Sequence, residues 1–185
     1  MSFIQINRIV IVFAVIAFLL GSCSAKKKWE ADKIKQQETA LMEEAKKGKV
    51  DSLAVSKLLQ AYETFAEKYP GDTIAANFLF KAADFYRYMQ KPLKSIGIYE
   101  KIFDNYPDFE KRPYALFLQG FIYENEVGNI HNARLKYELF LKEFPQHPIA
   151  KDVEFTLKNL GKTPEQIMQE FEAAQKADAT RSMSK

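Results

Sequence analysis

Four groups of side chains in this 185-residue chain could carry chemistry, and their spacing decides what kind. Cys23 is the only cysteine, which leaves no disulfide within the chain and no CxxC metal or redox site. His131 opens a helix-prone stretch and His147 sits in a Pro-bounded turn. Neither has a second ligand at metal-binding spacing, so both read as surface or capping residues. Glu124 and Glu126 are two apart and fall on different faces of a helix. Glu63, Glu100 and Glu138 recur at one position of a repeat, where a structural bond, for instance to the next turn, explains three copies better than a general acid explains one. HExxH, GxSxG and Gly-rich phosphate loops are absent. These spacings point to no catalytic residue, no metal and no cofactor, hence no enzyme.

Cys23 keeps one use, as a nucleophile at a chain end. Arg8 precedes twelve apolar residues, Ile9 to Leu20, followed by Gly21-Ser22-Cys23. A charged start, an apolar run and small residues read as a cleaved signal over residues 1–22. Twelve residues rise only about 18 Å as a helix, short of a roughly 30 Å hydrocarbon core, which disfavours a membrane-spanning helix. Leu20-Gly21-Ser22-Cys23 resembles the lipobox of bacterial lipoproteins, whose cysteine is alkylated with diacylglycerol. That resemblance implies a lipidated Cys23, acyl chains of the palmitate kind in the bilayer, and a short tether over 23–28. Ser24 instead of Asp implies transport to the outer membrane, and a run Lys26 to Lys28 without acidic residues implies the periplasmic face. The alternative is an uncleaved anchor, for which Lys26-Lys27-Lys28 would outweigh Arg8 and hold the rest in the cytoplasm.

The remainder is organised by one motif written three times, Tyr62 to Pro70, Tyr99 to Pro107 and Tyr137 to Pro145. Each opens with Tyr-Glu and closes with an aromatic before Pro. Prolines 37 and 38 residues apart give the period of stacked helical hairpins. Seven Gly and seven Pro are too few for the turns of a β fold, and a net charge of +3 excludes a nucleic-acid footprint. Apolar spacing predicts helices over 29–47, 52–68, 74–89, 93–105, 113–127, 130–143, 148–160 and 164 to about 174. Asp51 caps the second and Asp72 or Thr73 the third. Gly128-Asn129 forms a tight turn, and Thr163-Pro164-Glu165-Gln166 forms a capping box. The last helix, with Ile167, Met168 and Phe171 on one side, is expected to cap the array, and 177–185 to be disordered.

A 38-residue shift aligns Ala82 with Gly120, Phe85 with Tyr123, Ser95 with Ala133, Tyr99 with Tyr137 and Tyr106 with Phe144. Small residue, aromatic, turn, Ala, aromatic, then aromatic-Pro is similar to the tetratricopeptide repeat, best over 72–107 and 109–145. The first helix departs from it. With a lipobox, the pattern resembles two envelope relatives: the repeat lipoprotein of the β-barrel assembly machinery and the Tol-Pal-associated periplasmic repeat protein. The expected fold is all-α, a right-handed superhelix (solenoid) of antiparallel helix hairpins in about four pairs, over 29–176.

Family geometry implies a concave groove lined by Ala76, Leu79, Ala83 and Tyr86, then by Tyr114, Phe117, Phe121 and Glu124, taking a helix or extended segment of an envelope protein. Half of these could equally pack against the preceding helix. Cytosolic relatives clamp chaperone tails with Lys and Asn at such positions, and Leu79, Ala83, Phe117 and Phe121 do not fit that. The resemblance implies a protein-docking scaffold in outer-membrane assembly, secretion or cell-wall machinery, with no small-molecule substrate. The alternatives are an auxiliary or glycan-active envelope enzyme subunit and an anchored co-chaperone.

Overall fold

A computed structural model describes the backbone of residues 3–183 and the side chains of 24–177. The leader and Cys23 lie outside the described side chains, and so does the expected lipid site. Every regular element among the described residues is helical: α1 (Phe3–Lys46), α2 (Ser52–Lys68), α3 (Thr73–Tyr88), α4 (Pro92–Asn105), α5 (Arg112–Ile122) running into a π turn (Tyr123–Val127), α6 (Ile130–Glu143), α7 (Ala150–Asn159) and α8 (Pro164–Met183). Among the described residues the eight helices in sequence match the number that about four pairs require. Among the described residues no helix is long and apolar enough to cross a membrane.

The recurring aromatic-Pro pair is a helix stop. Pro disfavours helical backbone in the residue before it. Tyr69, Tyr106 and Phe144 accordingly share one C-cap conformation, with φ of −126°, −129° and −131°, each N–H still donating to the carbonyl four residues back. The extra length over a 34-residue repeat lies beyond this stop. Phe109 N–H donates to Tyr106 and Arg112 to Phe109; 38 residues on, His147 donates to Phe144 and Ala150 to His147. Two successive tight turns therefore carry the chain from one helix pair into the next.

The chain divides into two compact units, Met1–Phe85 and Tyr86–Lys185. In the first, Tyr62 stacks on Phe78 at 5.0 Å between ring centroids, and Phe65 meets Phe78 edge-on at 5.1 Å. Ala31 and Ile34 of α1 are buried with them. Asp51 caps α2 through Leu53 N–H at 2.9 Å, and Asp72 takes Ile74 N–H at 2.7 Å, which settles the cap of α3. In the second unit, Leu116, Ala133, Tyr137, Phe140, Ala150, Val153 and Leu160 form the core. Arg112 clips its edge, donating Nε–H to the Phe103 carbonyl at 2.8 Å with the guanidinium over the Phe103 and Phe144 rings.

Two expectations are corrected, and the tether gains a conformation. The tether over 23–28 is helical, because no Gly or Pro interrupts Ser22 to Lys47 and Lys27 Nζ is tied to Asp72 at 2.5 Å. The tail 177–185 is helical as far as Met183, α8 having no breaker after Pro164. The capping box at its start is present, with Thr163 N–H on Gln166 Oε1 at 2.9 Å and Gln166 N–H on Thr163 Oγ at 3.3 Å. Yet α8 leaves Met168 61 % and Phe171 64 % exposed, and of its expected apolar side only Ile167 is half-buried, so it is a poor cap.

Candidate functional site

α5 begins at Arg112, with Pro113 pre-set for its first turn. From there Tyr114, Phe117 and Phe121 follow at intervals of three and four and share one face. Tyr114 is 41 % exposed, and Phe117 and Phe121 are half-buried. The Tyr114 ring meets His147 edge-on at 5.2 Å, and Phe117 lies 6.0 Å from Tyr137 and 6.2 Å from Phe121. Arg87 caps the row, its guanidinium 5.0 Å from the Phe121 ring and its Nε paired with Glu126. An open aromatic row ending in a cation over a ring is a surface for apolar or aromatic side chains.

Glu124, expected beside them, is spent on structure. In the π turn its carboxylate accepts the Tyr137 hydroxyl at 2.7 Å. Burial, together with this carboxylate, pushes the Tyr137 phenol well above its usual range. Gly120 makes room for the ring: a Cβ there would lie 2.6 Å from Tyr137 Cε1. The repeated tyrosines carry buried hydroxyls as well as rings, as Tyr62 also does. Its hydroxyl sits beside Glu38 without bonding geometry, and burial first and that charge second raise its pKa. Glu38 itself takes Lys81 Nζ at 2.6 and 2.7 Å.

The other four expected groove residues do not line an open surface. Ala76, Leu79 and Ala83 in the first unit are fully buried, because α3 is apolar around most of its circumference and its neighbours cover it. Tyr86 in the second unit is buried too, its hydroxyl accepting Lys94 Nζ at 2.7 Å. For these the packing alternative holds. His147 is half-buried between Tyr114 and Phe140, and His131 is exposed. Glu100 reaches Lys136 of the following repeat at 2.9 Å, instead of the next turn. Among the described residues no cluster of His, Cys, Asp or Glu could hold a metal.

One surface had no signal in the repeat pattern. Between α1 and α2 runs an open cleft of about 660 Å³, lined by Leu41, Val50, Ala54 and Leu58 with Lys49 and Lys57 on its rim. Only the 67 % exposure of Val50, an apolar residue beside a Gly-Lys turn, sets it apart.

No curated protein matches the chain. The tetratricopeptide repeat family matches residues 78–108 and 114–147, which span α3 into the turn after α4, and α5 through α6. With the helix pairs and the aromatic-Pro stops in those positions, these two stretches are similar to tetratricopeptide repeats in sequence and in helical-hairpin build, which supports a protein-docking role.

Proposed function

We propose that this chain is an envelope lipoprotein, held to the outer membrane through Cys23, that docks another envelope protein on its repeats. The docking half of the reading rests on the aromatic row of α5, where Tyr114 is open and Phe117 and Phe121 half-open beside Arg87 inside a matched repeat. Aromatic side chains in such a setting dominate the energetics of protein interfaces. The lipid half rests on Leu20-Gly21-Ser22-Cys23 after an apolar run.

Two measurements test it. Tagged chain is purified from membranes, and co-eluting proteins are compared with those of Tyr114→Asp, an exposed position whose change spares the core. Loss of specific partners with unchanged circular dichroism is expected, and an identical set of partners refutes docking on α5. Cys23→Ala should remove the acyl mass and release the protein from membranes; unchanged mass and partition refute the lipid anchor.

A further inference from the structure

The cleft between α1 and α2 shares no residue with the α5 row. It continues as a shallower stretch of about 500 Å³ over Ile34, Ala61 and Phe65, sharing Gln37 and Lys57 with the first. From Glu30 to Glu44 the wall contributed by α1 is 14 residues of rise, about 21 Å, or four helical turns. Ala40, Ala54 and Ala61 keep the floor low, and Leu41, Leu58 and Val50 make it apolar. The rotation of α1 that turns Gln37, Leu41 and Glu44 to the cleft turns Ala31 and Glu38 to the core side, where Glu38 meets Lys81 of α3.

The rim decides the occupant. Its acidic groups are all engaged: Glu30 with Lys68 at 2.5 Å, Glu44 with Lys47 at 2.9 Å, and Asp51 as the cap of α2. Among the described residues Lys49 and Lys57 have no acidic partner, and Lys33 lies over the Trp29 ring at 4.0 Å with none either. With Asp51 keeping its charge as a cap, the surplus is two cations along an apolar trough one helix wide. We propose that this cleft binds an amphipathic helix of a partner protein whose apolar stripe is flanked by Glu or Asp. Such a stripe would lie over Leu41 and Val50 with its carboxylates toward Lys33, Lys49 and Lys57.

The test uses the full chain and two fluorescent synthetic helices of about 16 residues, with one Leu/Ala stripe and either Glu or Lys on its flanks. Anisotropy should show the Glu helix binding about tenfold or more tighter than the Lys helix, with the gap closing as salt rises. Lys49→Glu/Lys57→Glu, both exposed positions, should invert the preference, and Val50→Asp should weaken both helices. Tyr114→Asp should leave binding unchanged, so this result stands or falls apart from the α5 reading. Equal binding of the two helices, no binding of either, or indifference to the Lys changes overturns the proposal. So does sedimentation showing the cleft filled by a second copy of the chain.

Discussion

Replacing Gly120 by Ala is the sharpest probe of how the second unit packs. Helix propensity alone favours Ala by about 1 kcal/mol. Against it, the new Cβ would lie 2.6, 2.8 and 3.2 Å from Cε1, Cδ1 and Cζ of Tyr137, where carbons normally approach to about 3.5–4.0 Å. The ring has no retreat, being fully buried with its hydroxyl on Glu124 at 2.7 Å. Overpacking costs about 1–3 kcal/mol. If the ring tilts instead, a hydrogen bond to a charged acceptor worth about 1.5–3 kcal/mol is strained. The net expectation is a loss of up to about 2 kcal/mol, seen as a lower urea midpoint by circular dichroism. In a Tyr137→Leu background, where a shorter side chain leaves room, the same change should cost at least about 1 kcal/mol less. A midpoint that rises in the Tyr137 chain, or no coupling between the sites, refutes the close approach as the reason for glycine here.

Three further outcomes follow from buried polar groups. Lys81→Met strands the Glu38 carboxylate beside Tyr62 and should cost about 1–3 kcal/mol, the lysine being half-open, whereas Lys46→Met, which breaks an exposed pair with Glu43, should cost about 0.5 kcal/mol or less; thermal unfolding compares them. Ser95→Ala removes a buried hydroxyl with no partner at the position where the next repeat has Ala133, and denaturant titration should show a gain of about 1 kcal/mol. Burial of Asp72 would raise its pKa, but the Lys27 ammonium and the Ile74 N–H outweigh it and hold the carboxyl below its usual value. The stability it contributes is therefore full above the unfolded value of about 3.9 and lost as pH falls through the folded one. The difference in melting temperature between wild type and Asp72→Asn should shrink below about pH 4, and a constant difference sinks the assignment.

Helix positions and stops were legible because they are local. Apolar spacing gives α2 and α6 to the residue, and a backbone rule acting on one neighbour gives the aromatic-Pro ends. The π turn at Tyr123–Val127 was not legible, since the same residues also read as ordinary helix and only the pairing of Glu124 with Tyr137 gives the turn a role. Burial was half legible. Leu79 and Phe117 hold equivalent places in their helices, yet one is sealed and the other half-open, a difference made by what packs nearby. The α1/α2 cleft belongs to the hairpin that departs most from the repeat, where similarity has nothing to compare.

The pairing of Lys27 with Asp72, on a helix that continues unbroken past Cys23, bears on reach. Four residues of helical rise, about 6 Å, separate the thiol-bearing position from the first side chain pinned to the folded body. Under the proposed acylation of Cys23, the anchor has almost no leash. On that proposal a partner is met close to the bilayer surface, and inserting a flexible spacer after Ser24 would enlarge the volume the body can search.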